Sequence, residues 1–212
     1  MKIAILGTGR VPKTITPRLA AAGHEVVLGS RDPATAPEWV TPATKAVTVE
    51  SLGDAAASGE LIVNALPGSV ALETLAGLPS VAFEGKVLMD VGNAAVPGEA
   101  GFELLYPNGS LAEEIQNALP GTRVVKSMNT MNTSVMEDPT ALSAPSSIFV
   151  SGDDEDAKQA VKDLLRDLGW PQEWIVDLGG LATARGPEHM FLMMLALFGS
   201  LGTMRLNFEI VR

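Results

Sequence analysis

The chain has 212 residues, 46% hydrophobic and 19% charged, with a formal net charge of −10 at pH 7. That is enough apolar material for one large core with an appended element, far from the composition of a disordered chain. Zero cysteines exclude a disulfide framework and a thiolate metal centre, two separated histidines argue against a metal site, and the acidic balance argues against nucleic acid or anionic membrane as partners.

Met1-Lys2 leads directly into a strand without a signal-peptide pattern, so a cytoplasmic protein is expected. The longest apolar stretch, residues 190–198, is under half of a membrane span. Residues 2–6 are a short apolar run closed by Gly7, the pattern of a buried parallel strand. A helix is expected over 11–22, ended by Gly23, and a second strand over 25–28, which completes a right-handed strand, helix, strand crossover. Residues 32–45, rich in Pro, Thr and Ala, read as an irregular connection with at most one short helix. Further strands are expected at 46–49, 61–66, 86–91, 123–128 and 147–150, with helices at 51–57, 69–76, 111–118 and 154–168.

The alternation specifies α/β: a Rossmann-type, doubly wound, mainly parallel sheet. After Gly169 come a short strand at 174–177, an almost wholly apolar helix at 188–201 and an alternating segment at 206–211. Residues 1–150 are therefore read as an NADP-binding Rossmann domain. Residues 151–212 form a small helix-containing element that completes the substrate cleft. A helix apolar on every side must be covered on every side, either as a central core helix or at a homodimer interface.

Gly7-Thr8-Gly9-Arg10-Val11-Pro12 stands where the dinucleotide fingerprint belongs, after the first strand and before the first helix. The first glycine permits the tight turn, the second lets the backbone approach a pyrophosphate, and the helix N-terminus offers free N–H groups to the anion. Pro12 replaces the third glycine; it adds bulk, which predicts a helix standing slightly off the sheet, yet proline is tolerated in a first turn. The grip then falls to Gly7, Thr8, Gly9, Arg10 and Val11. The second strand ends in Gly29-Ser30-Arg31, with no acid to hold a ribose 2′-hydroxyl. A hydroxyl and a guanidinium fork suit a 2′-phosphate instead, so NADP is the expected nucleotide, and Asp32-Pro33 reads as a turn. His24 reads as structural and His189 as a capping or packing residue; neither has triad partners nearby in sequence.

These residues resemble the coenzyme F-420-dependent NADP oxidoreductase family, whose second substrate is an 8-hydroxy-5-deazaflavin. The matching stretches are residues 1–9, Gly23-His24-Glu25 through Gly29-Ser30-Arg31-Asp32-Pro33, Val124-Val125-Lys126-Ser127-Met128-Asn129-Thr130-Met131-Asn132, and residues 150–154. Pro12 is the clearest departure. The resemblance implies direct hydride transfer between nicotinamide C4 and deazaflavin C5 in one cleft, with no obligatory acid or base. Proximity and orientation would then carry catalysis. The ring pocket is expected at later strand ends, with Leu66, Pro67, Asn93, Ala94 and Asn129 as contacts. A deazaflavin carrying phosphate and oligoglutamate also needs local cations, for which Arg10, Lys126, Arg185 and Arg205 are candidates. Reduction of a flavin or a small imine or carbonyl compound, or a non-catalytic NADP(H) sensor, are the alternatives.

Overall fold

The computed structural model describes residues 1–41, 47–99 and 101–211. Strand β1 (Lys2–Leu6) lies inside the sheet with a strand on either side, and Ile3 to Leu6 keep no exposed surface, as a run without polar alternation requires. The chain turns at Gly7 into α1 (Arg10–Ala21), which ends ahead of Gly23, and returns as β2 (Glu25–Ser30). The irregular connection up to residue 41 carries no helix; residues 42–46, including the first residue of the expected third strand, lie outside the described residues. Next come β3 (Val47–Ser51) and α2 (Leu52–Ser58), whose first turn is capped by the Ser51 hydroxyl accepting from Asp54 N.

The second half of the winding is β4 (Leu61–Asn64), α3 (Gly68–Ala76) and β5 (Val87–Asp90), followed by a hairpin of β6 (Ala95–Gly98) and β7 (Gly101–Leu104). Beyond the hairpin lie α4 (Leu111–Ala118), β8 (Arg123–Ser127), α5 (Thr133–Glu137), β9 (Ile148–Gly152), α6 (Glu155–Asp167), β10 (Ile175–Asp177) and α7 (Arg185–Leu201). The strand order is β10-β9-β8-β5-β4-β1-β2-β3. Every pair is parallel except β8 with β9, where Ser127 opposes Val150. The chain leaves β8 at its C-terminal end, runs through α5 and enters β9 from that same end, so no crossover helix is needed there. The boundary expected at residues 150 and 151 falls inside β9.

Alternate residues of the strands feed two cores, one on each face. Ile3, Ile5, Val26 and Leu28 pack with Ile15 and Leu19 of α1 and with Leu164 and Leu165 of α6. Ala4, Leu6, Val27 and Ile62 pack with Ala55 of α2, Leu75 of α3 and Ile115 of α4. At the sheet end remote from the C-termini of the parallel strands, His24 Nε2 meets Asp167 Oδ2 at 2.9 Å and ties the start of β2 to the end of α6. His24 is structural.

Three expectations change. Strand β4 stops at Asn64, two residues early, because the Asn64 side chain accepts from Leu66 N and turns the chain out of the sheet. The β6–β7 hairpin and α5 were not legible as elements. Helix α7 starts a turn early, at Arg185, and is not a central core helix: Pro187, Glu188 and Met194 are buried, while Leu192, Met193 and Leu201 are exposed. The terminal alternating segment forms no strand; it lies beside the start of β9, where Ser147 N donates to Phe208 O and Ile210 N to Ser147 Oγ.

Pro12 points into the core, whereas Pro17 sits exposed inside α1, where it lacks the N–H that would reach Lys13 O. Pro17→Ala restores that bond in a good helix former, offset in part by a freer unfolded chain. A net stabilisation of about 1–2 kcal/mol is expected. It is read as a higher urea midpoint; an unchanged or lower midpoint contradicts it.

Candidate functional site

Sheet order reverses between β1 and β4, and the first connections from these strands diverge to opposite faces. Such a switch point opens a crevice at the strand C-termini. A cleft of about 960 Å³ lies there, floored by the ends of β1, β2, β4 and β5.

At one end stands the glycine loop. Gly7 adopts φ +118, and a Cβ on it would come within 2.8 Å of Ala65 O, so the chain leaving β1 can lie this close to the chain leaving β4 only if this residue lacks a side chain. A Cβ on Gly9 would meet nothing of the chain within 4 Å. That space faces the N-terminus of α1, where Gly9 is the cap residue and no side chain satisfies the first-turn amides. A free helix terminus beside open space suits an anion. Thr8, Arg10 and Val11 also line the cleft; Pro12 does not, so its bulk leaves the pocket open. Trp39, which the sequence did not single out, braces the loop by donating from Nε1 to Thr8 O at 3.3 Å.

Farther along, Ser30 and Arg31 line both the cleft and an adjoining recess of about 590 Å³. The Ser30 hydroxyl donates to Asp32 O at 3.0 Å and accepts from Asp32 N at 3.1 Å, a local turn that sets where Arg31 leaves the backbone. Asp32 thus serves the turn through its main chain. Arg31 is exposed and makes no ion pair or side-chain hydrogen bond among the described residues. The cleft is lined by two arginines, Arg10 and Arg31, against one acid, Glu73. Its local charge therefore opposes the acidic chain.

The other end is lined by Leu66, Pro67, Val91, Gly92 and Asn93, with Phe191 of α7 forming a wall. Phe102 of the hairpin meets Phe191 edge-on, with ring centroids 6.1 Å apart. Asn129 and Ala94 sit behind this lining, both buried. Asn129 Nδ2 donates to Asn93 Oδ1 at 2.9 Å and to Pro187 O at 2.9 Å, while Asn93 Nδ2 donates to Asn129 O at 2.8 Å. Met128, immediately before, holds φ 61, a left-handed conformation costly for a side chain of this size. It re-aims the chain at the end of β8 so that Asn129 reaches Asn93.

Under the lining lies a buried ion cluster. Lys126 Nζ contacts Asp90 Oδ2 at 2.6 Å and Glu188 Oε1 at 2.9 Å and also donates to Gly92 O, with no exposed side-chain surface. Burial opposes its charge, but Asp90 and Glu188 outweigh burial and hold Lys126 above the ordinary lysine range. Lys126 is thus spent inside the protein and is not free to meet an anionic substrate. Arg185 is likewise taken up by Glu113, at 2.7 to 3.2 Å. The Arg185 hydrogen bonds hold the Glu113 carboxyl below its usual range against some desolvation. Arg205 lies outside the cleft lining, its guanidinium 3.5 Å from Ala141 O, and Arg10 alone of the four expected cations faces the cleft. His189 is exposed and lies outside the lining.

Comparison with known proteins bears on what this cleft serves. The family model described as NADP oxidoreductase, coenzyme F420-dependent, matches residues 2–94. An F420-dependent NADP reductase of Methanocaldococcus jannaschii is 31% identical over 212 residues, covering 93% of this chain and 92% of that protein. The chain belongs to this family of NADP-dependent oxidoreductases. A solved structure assigned as an F420-dependent NADP reductase from Arthrobacter sp. FB24 is 40% identical, with a TM-score of 0.93 over 100% of both chains. The metalloreductase STEAP3 of Rattus norvegicus is 31% identical over 92% of this chain, which spans only 37% of that longer protein. Among the described residues, no helix of this family member is long and apolar enough to cross a membrane.

The two loop glycines of this oxidoreductase separate folding from binding. Gly9→Ala is expected to keep wild-type stability within about 1 kcal/mol, the difference between Ala and Gly at a helix end, yet to lose nucleotide affinity. Gly7→Ala is expected to lose both, with about 1–3 kcal/mol of destabilisation from strain. Thermal unfolding and NADPH titration of both variants test this; a destabilised Gly9→Ala or a fully stable Gly7→Ala contradicts the geometry.

Proposed function

We propose that this protein exchanges hydride between NADP(H) and coenzyme F-420, with residues 7–11 holding the pyrophosphate and Ser30 and Arg31 holding the 2′-phosphate. The observation that carries the proposal is the single cleft that runs from an unpaired arginine, past a glycine cradle, to an apolar end walled by an aromatic ring. NADP(H) and the deazaflavin supply the hydride donor and acceptor carbons, nicotinamide C4 and deazaflavin C5. The chain's part is to bind, align and exclude water. Leu66, Pro67 and Asn93 line the ring end directly, and Ala94 and Asn129 support that surface from behind. No protein acid or base needs to act in the transfer itself, so the rate rests on ring distance and orientation. Arg10 and Arg31 offset the acidic surface for an anionic nucleotide and an anionic deazaflavin tail.

Residues 151–212 are proposed to complete the cleft, through Phe191, and to form a homodimer through the 188–201 helix. Exposed Leu192, Met193 and Leu201 on α7 support that second point.

Arg31→Ala is expected to weaken NADPH binding about 10- to 100-fold, the worth of charge-assisted hydrogen bonds to a phosphate, and to leave NADH binding unchanged. Equal effects on both nucleotides contradict the 2′-phosphate assignment. For the reaction, oxidised coenzyme F-420 mixed with NADPH and enzyme is expected to lose its deazaflavin absorbance one-for-one with NADPH consumed. Tight NADPH binding without any bleaching contradicts the choice of acceptor.

A further inference from the structure

Lys126 has three ammonium protons and three acceptors, each from a different part of the fold: Asp90 at the end of β5, Gly92 O in the floor of the cleft, and Glu188 in the first turn of α7. Glu188 uses its remaining acceptor capacity on the amides opening α4, taking Leu111 N at 2.8 Å and Ala112 N at 3.2 Å. Its neighbour Pro187 is held independently, its carbonyl accepting from Asn129 Nδ2. The α7 helix is therefore held by buried polar contacts at its start, and its residues beyond Met194 are partly or fully exposed. Phe191, three residues beyond Glu188, shares its helix face and is the α7 residue that lines the cleft.

Resting on the NADP(H) reading, we infer that Glu188 is a positioning residue: through Lys126 it fixes the distance between the Gly92–Asn93 floor and the Phe191 wall, and so the width of the slot that receives the nicotinamide and its partner ring. A glutamine at 188 keeps the shape but cannot accept from Lys126 and from both α4 amides at once. Its NH2 group must face a donor on one side. Asp90 still faces Lys126 with an opposite charge, so the variant removes one acceptor without leaving the ammonium unpaired. The adenylate end of the cleft, built on Ser30, Arg31 and the glycine loop, shares no contact with Glu188.

The test compares two ligands on Glu188→Gln and Phe191→Ala. Affinity for 2′,5′-ADP, which fills only the adenylate end, is expected to stay within about twofold of wild type, while NADPH binds about tenfold more weakly. Emission of the bound nicotinamide shifts towards that of free NADPH. The double variant is expected to be no weaker than the worse single one, because both changes act through one wall. Equal loss of both ligands in Glu188→Gln would show a general structural role and overturn the inference, as would undiminished NADPH affinity in either variant or fully additive effects. Half-buried Phe191 can be truncated without touching the ion cluster, so undiminished NADPH affinity in Phe191→Ala overturns the inference even if Glu188→Gln does not fold. Wild-type protein that binds neither ligand would overturn the NADP(H) reading itself, which separates the two failures.

Discussion

A lysine without exposed surface in a mainly parallel sheet must find a partner for each proton, and the search for those partners organises this molecule. Asp90 takes one proton of Lys126 and spends its other oxygen on Asn64 Nδ2, at 2.7 Å, and Gly92 N, at 3.2 Å. Glu188 takes another and turns to the amides of α4. The cluster carries one more negative than positive charge, and the excess sits against the positive end of a helix dipole. Such a group contributes little net stability compared with an apolar replacement, but losing any one member costs about 3–5 kcal/mol. Its value is registry: β4, β5, β8, α4 and α7 can meet in one arrangement only, and the Asn93–Phe191 end of the cleft is the surface of that arrangement.

The amino-acid sequence made the glycine-loop half of this cleft legible, since its signals are local. Gly7, Gly9, Ser30 and Arg31 lie within one strand, helix, strand unit, and each is read from its own neighbours. The opposite end draws on residues 66, 93, 129 and 191, which no period or spacing connects. Lys126 stood out as a cation near a strand end, suited to an anionic ligand; its apolar neighbours Val124 and Val125 were the clue that it is buried. Glu188 opened what read as a helix apolar all round, and a single acid at that place marks a buried partner. The reversal at β9 had no signal, because a connection through a short helix fits either direction. Trp39 was hidden in a stretch read as irregular, where one indole N–H decides its role.

Charge works on two scales here. The whole chain repels anions at long range, and that repulsion is screened beyond about 8 Å at physiological salt. Within the cleft the balance reverses: among the described residues Arg10 and Arg31 have no ion-pair partner, while Lys126 and Arg185 are taken up by Asp90, Glu188 and Glu113. The cleft thus carries a positive balance that the chain as a whole does not.

The sheet ends at β10, only three residues long, paired on one side with β9. Asp177 closes it, held by Lys158 at 3.1 Å and Lys162 at 2.6 Å. A long bare edge would offer a template for another strand and a route to fibres. An edge of three residues flanked by paired charges gives an incoming strand few backbone groups to grasp and a desolvation cost for trying. Self-association by strand addition is thereby discouraged at this margin.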